Sequence, residues 1–248
     1  MIIRKSSAEI GIMREAGRIT ARALRSVGEA VRPGVTTGEL DAIAEDVIHS
    51  AGALPAFKGY QGFPATICAS LNEQVVHGIP GERRLAEGDI LSVDVGAIVD
   101  GYYGDSAYTF AVGAVSDEAT RLMDATRAAL EAGMARCVPG MRLYDISNAV
   151  QNVAEGAGFS IVREYVGHGI GRAMHEEPQI PNFGPAGKGP TLKPGMVLAI
   201  EPMVNAGGAA VRSLDDGWTV VTQDMRPSAH FEHTVAVTDD GPYVLTVE

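Results

Sequence analysis

Cysteine is nearly absent: Cys68 and Cys137 are the only two in 248 residues. That excludes a disulfide framework and any zinc motif built on thiolates. Basic charge is also short. Lys and Arg number 20 against 31 Asp and Glu, a net charge of −11, which argues against nucleic-acid recognition by the surface as a whole. No apolar run approaches the roughly 18 residues of a spanning helix, so no membrane role is expected. The start, Met1-Ile-Ile-Arg-Lys, has no long apolar core behind it and lacks the shape of a signal peptide. No Ser/Gly/Pro-rich linker divides the chain, and no Ser/His/Asp order or phosphate loop is present. What is there is apolar material: 46% of residues are hydrophobic, enough for a core and against disorder. The length suits one large domain or two small ones. A soluble, cytoplasmic protein is the expectation.

Ser6-Ser-Ala-Glu9 reads as a capping box. Ile10, Met13, Gly17, Leu24, Val27 and Val31 follow at mostly three- and four-residue steps, an amphipathic helix that ends at Pro33-Gly34. Thr36-Thr-Gly-Glu39 opens a second helix with Leu40, Ile43, Ala44, Val47 and Ile48 on one face and Gly52 at its end. An aromatic-rich loop, Phe57 to Phe63, and a short apolar piece around Ile67 come next. The pattern then restarts. Ser116 caps a helix through Leu122, Met123, Leu130 and Met134, which stops near Pro139-Gly140. A further helix carries Ile146, Ala149, Val150 and Val153 and ends at Gly156 or Gly158. Three short matches run in the same order through both halves. Val31-Arg-Pro-Gly34 answers Val138-Pro-Gly140, and His77-Gly-Ile79 answers His168-Gly-Ile170. Gly88-Asp-Ile-Leu-Ser-Val-Asp94 answers Gly195-Met-Val-Leu-Ala-Ile-Glu201. One helix–helix–sheet unit used twice, at a period too long for a solenoid, predicts two halves around a pseudo-twofold axis. Pro178 to Pro194, rich in Gly and Pro, reads as an ordered surface loop.

The chain is organised around Gly88 to Phe110. Ile90 to Val95 reads as a buried strand, Asp100-Gly101 as a turn, and a second β-type run starts near Tyr108. Such a hairpin brings Asp94 and Asp105 to neighbouring positions. Two inward carboxylates repel and are poorly solvated, so a divalent metal between them is the simplest candidate. For an isolated pair, a turn residue and a hydrogen-bonded core acid remain the other reading. The duplication adds partners. Asp94 and Glu201 become equivalent, each ending a buried strand, and Glu232 is the counterpart of Asp105. His168 lies between glycines that let the backbone approach a ligand closely. Four carboxylates at one centre need cations, and two divalent ions nearly balance them. Oxygen-rich ligation with one imidazole suits manganese, iron(II), cobalt or zinc.

The order Asp-x10-Asp, His, Glu, Glu strongly resembles the type I methionine aminopeptidases. Supporting it are Ser70 to Pro80, Gly167-His-Gly-Ile-Gly171 and Ala173-Met-His-Glu-Glu-Pro178. The five ligands alone mark the wider pita-bread metallopeptidases; the flanking segments narrow the match, which covers essentially the whole chain. The resemblance implies an α+β pita-bread fold, in which two pseudo-symmetric helix–helix–β halves surround a curved antiparallel sheet. It implies one catalytic domain over 1–248, with pseudo-repeats at approximately 6–110 and 116–240. It implies removal of the initiator methionine from nascent chains when the second residue is small. Asp105 and Glu232 look like ligands bridging two divalent ions, Asp94 like a ligand to one, and His168 and Glu201 like ligands to the other. Glu201 also resembles the proton shuttle, His77 the contact to the scissile nitrogen, and His175 the donor to the carbonyl oxygen. The methionine pocket resembles Tyr60, Phe63, Cys68, His77, Met174 and Trp218, which suits a thioether through sulfur–ring contacts. Phe57 and Met174 stand where Cys and Phe are common in the family. Asn72 and Ser228 resemble its monovalent-cation site. A monomer in transient contact with the ribosome is implied, of the compact bacterial type. An Xaa-Pro aminopeptidase or dipeptidase of the same fold, or a non-catalytic binding relative, are the competing readings.

Overall fold

The computed structural model describes residues 1–248. Both capping boxes form. Glu9 takes the Ser6 N–H at 2.8 Å while Ser6 Oγ takes the Glu9 N–H, which starts α1, Ser7–Ala30. Thr36 and Glu39 do the same for α2, Thr37–Ser50. Five strands follow: β1 (Leu54–Pro55), β2 (Ile67–Leu71), β3 (Gln74–Val76), β4 (Ile90–Val99) and β5 (Tyr102–Ala111). Ser116 caps α3, Asp117–Met134, and α4 spans Leu143–Gly156. The remaining strands are β6 (Ser160–Ile161), β7 (Gly167–Gly169), β8 (Glu176–Ile180), β9 (Val197–Ile200), β10 (Met203–Asn205), β11 (Val211–Ser213), β12 (Val220–Thr222), β13 (Ser228–His230), β14 (His233–Thr238) and β15 (Gly241–Val244).

All strand pairs are antiparallel. One sheet joins β1 and β2 to β4 and β4 to β5; another runs β15-β14-β9-β7-β8; two three-stranded sheets run β13-β10-β6 and β11-β12-β3. The alternation of strand side chains divides the work of β4. Leu91, Val93, Val95 and Ala97 enter a core with Ile19, Val27, Leu40 and Ile48 from α1 and α2. Ser92, Asp94 and Gly96 turn the opposite way. A second core joins Leu122, Leu130, Ile146 and Val150 of α3 and α4 to Leu198, Ile200, Val204 and Val235. Hydroxyl groups bridge the sheets. Thr234 Oγ1 donates to the Asp105 carbonyl and accepts the Asp105 N–H, and Thr109 Oγ1 does the same for His230.

Three local expectations change. The second strand of the hairpin begins at Tyr102, not near Tyr108, and Asp94 lies in the middle of β4 rather than at its end. Gly104 and Asp105 disfavour a strand, but packing overrides that preference. Helix α1 presses so close that a Cβ on Gly104 would fall 2.7 Å from the Gly17 nitrogen. The segment from Pro178 is not all loop: β8 pairs with β7 through Ile180, and Leu192 is buried. Pro178 is tolerated because β8 is an edge strand.

Candidate metal centre and pocket

Ten consecutive pairs, from Ile90↔Ala111 to Val99↔Tyr102, hold the hairpin. Asp94 faces Ala107 and Asp105 faces Gly96, so the two carboxylates are diagonal neighbours on one face. Glu201 follows the last residue of β9, and Glu232 lies between β13 and β14. They come together because His233 pairs with Ile200. Glu232 is tied to the hairpin at both ends of its peptide. Its N–H donates to the Ala107 carbonyl at 2.9 Å, and its carbonyl accepts from Ser106 Oγ at 2.7 Å. His168 comes from β7, whose partner β9 places it beside Ala199. The glycines beside His168 serve the sheet rather than a ligand. A Cβ on Gly167 would meet the Ala199 carbonyl at 2.5 Å, and one on Gly169 would collide with the Glu177 carbonyl.

All five expected ligands line one pocket. Asp105, His168 and Glu232 are buried and present donor atoms within 4.8 Å of one another. His168 Nε2 is 3.5 Å from Glu201 Oε1 and 3.8 Å from Asp105 Oδ2. Burial, then the neighbouring carboxylates, drives Asp105 and Glu232 far above the usual carboxylate range. Burial lifts Asp94 to about 7 and Glu201 to about 8. Asp94 Oδ1, Asp105 Oδ1 and Glu232 Oε1 are buried without a hydrogen-bond partner. Buried acceptors of this kind are costly unless something meets them. Burial also lowers His168 to about 4, and its Nδ1 donates to the Gly169 carbonyl at 2.9 Å, which leaves a lone pair on Nε2. Unpartnered carboxylate oxygens, protons held for want of a cation and a neutral imidazole together fit divalent metal ions.

The pocket beside these groups has a volume of ≈ 160 Å³, well under the roughly 300–1,000 Å³ of drug-sized ligand sites. It suits one side chain and its backbone. Phe57, Tyr60, Phe63, Cys68, Met174 and Trp218 form its apolar wall. Phe63 stands edge-on to Trp218 with ring centres 5.1 Å apart. Burial, followed by the charges of Asp94 and Asp105, pushes the Cys68 thiol far up, so Cys68 is wall and not nucleophile. His77 and His175 also line the pocket. His77 adopts φ 62°, a left-handed conformation that costs a non-glycine residue and often marks a functional position. Burial, and then His230 and His175, lowers His77 to about 4. His175 is exposed at the rim, is lowered by partial desolvation, and bonds through Nδ1 to the Tyr60 hydroxyl at 2.8 Å. The loop carrying Met174 and His175 is anchored by a buried pair, Lys5 Nζ to Glu176 Oε2 at 2.6 Å.

Sequence reasoning brought every one of these pocket residues forward except Gln61, which also lines it. It also passed over His230, buried behind Glu201. The signal was available: in His230-Phe-Glu-His233 the first histidine lies two residues ahead of Glu232, on the same face of an extended segment. Asn72 and Ser228 meet directly, since the Ser228 N–H donates to the Asn72 carbonyl at 2.8 Å.

A cluster of buried carboxylates with one imidazole, opening on a small apolar pocket, defines a metallopeptidase-type centre, and the sequence profile of metallopeptidase family M24 matches residues 11–239. The chain belongs to that family. It is 55% identical to methionine aminopeptidase 1 of Bacillus subtilis over 246 residues, covering 99% of each chain. The crystal structure of methionine aminopeptidase from Thermotoga maritima superposes with TM-score 0.99 at 46% identity, covering all of both chains. The prolidase of Pyrococcus horikoshii shares the fold, with TM-score 0.80 at 23% identity, and this chain spans 65% of its length. The resemblance to type I methionine aminopeptidases therefore holds along the whole chain, and the pita-bread fold with it. No helix is long and apolar enough to cross a membrane.

Proposed function

We propose that this chain removes the N-terminal methionine from nascent polypeptides when the second residue is small, as one catalytic domain with pseudo-repeats near 6–110 and 116–240. The observation that carries this is the placement of the unpartnered carboxylates at the base of a pocket sized for one side chain. Asp105 and Glu232 would bridge two divalent ions, with Asp94 on one and His168 and Glu201 on the other. Divalent ions held there would supply a water-derived nucleophile at neutral pH. The protein does the rest. Phe63, Trp218, Met174 and Cys68 hold the methionine side chain and exclude water. His77, neutral because burial lowers it to about 4, hydrogen-bonds the scissile nitrogen without adding charge. The Tyr60 hydroxyl bonds His175 Nδ1 at 2.8 Å; in the tautomer where that hydroxyl donates, the proton of His175 is on Nε2, where it would meet the developing oxyanion. Glu201 receives a proton at its carboxylate and passes it to the leaving amine.

Manganese, iron(II), cobalt and zinc all suit this donor set. Asn72 and Ser228 are the place for a monovalent cation. A monomeric, cytoplasmic enzyme in transient contact with the ribosome follows from the same reading. The test is cleavage of Met-Ala-Ser against Ala-Pro-Ala by metal-loaded protein, followed by amino-acid release. Free methionine from the first peptide and no product from the second is expected. Cleavage of Ala-Pro-Ala alone would assign the chain to Xaa-Pro chemistry, and cleavage of neither would leave it a binding relative.

A further inference from the structure

His230 has no role in the chemistry described above. Its backbone is clamped by Thr109, whose hydroxyl accepts the His230 N–H at 2.9 Å and donates to the His230 carbonyl at 2.8 Å. The residue is 1% exposed, so its ring has nowhere else to go. Nε2 is buried with no hydrogen-bond partner. It stands 3.7 Å from Glu201 Oε2, beyond hydrogen-bond length but within reach of a small rotation. Glu201 thus lies between two imidazoles, with Oε1 3.5 Å from His168 Nε2 and Oε2 3.7 Å from His230 Nε2.

The two rings are not alike. The proton of neutral His168 is committed to the Gly169 carbonyl through Nδ1, so its Nε2 shows Glu201 a lone pair. That contact is favourable only with a proton or a cation between the two. No such bond ties the proton of His230, so its Nε2 is free to carry it. A donor and an acceptor buried face to face each lose a bond to water, and closing the gap restores both.

We propose that His230 is a positioning residue that donates Nε2–H to Glu201 Oε2 and leaves Oε1 alone to join His168 at the metal. This rests on the reading of Glu201 as a metal ligand. Partners of this kind fix the orientation of a ligand, and their loss costs about 10–100-fold in metal affinity.

The test measures Mn²⁺ dissociation constants, with no turnover assay, for the wild-type chain, His230→Leu, His230→Gln and Glu201→Gln. Proton NMR of the Co²⁺-loaded forms counts exchangeable imidazole N–H signals shifted by a bound metal. Expected are about 10–100-fold weaker binding in His230→Leu, recovery of most of that loss in His230→Gln, whose amide also donates, and one shifted imidazole signal in both wild type and His230→Gln. Unaltered affinity in His230→Leu would overturn the proposal, as would failure of His230→Gln to recover it. Two shifted signals in the wild type, one of them lost in His230→Gln, would make His230 a ligand instead. If His230→Leu does not fold, His230→Gln decides through the Co²⁺ absorption bands. Unchanged bands support the proposal and displaced bands contradict it. Equal binding by wild type and Glu201→Gln would defeat the ligand reading itself, an outcome distinct from any change at His230.

Discussion

The two halves of the molecule supply buried carboxylates to one centre by different means. Asp94 and Asp105 stand inside an unbroken ladder of a single hairpin. Glu201 and Glu232 stand just outside the strands that present them, one past β9 and one ahead of β14. The hairpin sets the spacing of its acids by local pairing, and Thr234 of the second half clamps the Asp105 peptide from outside it. Glu232 depends on the first half, through Ala107 and Ser106, and Glu201 on Asn182, whose amide donates to its carbonyl at 2.9 Å. Two of the five groups are therefore spaced within one supersecondary unit, and the other three come into place only when the sheets meet.

The largest effect should come from the acids that sit at the junction. Asp105→Ala or Glu232→Ala should reduce kcat well beyond the roughly 100-fold that outer partners account for. More than a tenth of wild-type kcat at saturating metal, in either variant, would remove the bridging role. Next in size is His175→Ala: if the proposed oxyanion role holds, the loss should be on the order of 10²–10³ in kcat or ~3 kcal/mol. Steady-state kinetics should show KM little changed; a large rise in KM with kcat intact would make His175 a binding contact. The comparison itself is sharpened by a pair of hydroxyl deletions. Ser106→Ala removes the bond to the Glu232 carbonyl and should weaken Mn²⁺ binding by about tenfold, the lower end for an outer partner. Ser92→Ala removes only the 2.8 Å bond to Thr109 within the hairpin. It should cost about 0.5–1.5 kcal/mol of stability and leave metal affinity alone. Equal effects on metal binding, measured by calorimetry, would erase the distinction between the halves.

The smallest effect is on pH dependence. Asp94 at about 7 and Glu201 at about 8 lie above their unfolded values of 3.8 and 4.5. The metal-free fold therefore binds protons that the unfolded chain releases, and stability is lost as pH rises through about 7 to 8. His77 and His168, lowered to about 4 from 6.5, act in the opposite sense, but only below about 6.5. Between about pH 6.5 and 8 the thermal midpoint of metal-free protein should fall while metal affinity rises, with protons released on binding. Calorimetry in buffers of different ionisation enthalpy checks the release. A midpoint that rises over this window contradicts the assignment.

Much of this was legible in the sequence because it is local. Capping boxes, the Asp100-Gly101 turn and the order of the five groups that line the pocket are written in short stretches. The start of β5 was not, because Gly104 and Asp105 disfavour a strand and only the press of α1 on Gly104 explains it. The part played by the glycines around His168 was also hidden, since it depends on the carbonyls of Ala199 and Glu177 from strands not adjacent in the chain. His230 was passed over for the same reason. Its spacing from Glu232 places it near the site, but its contact with Glu201 depends on a segment distant in the chain.

The convergence of both halves on one centre is tested most directly by anomalous diffraction at the manganese edge from Mn²⁺-soaked crystals. The account predicts two peaks, both in contact with Asp105 and Glu232, with Asp94 on one and His168 and Glu201 on the other. A single ion held by the hairpin acids alone, or ions bound away from Asp105 and Glu232, would contradict it.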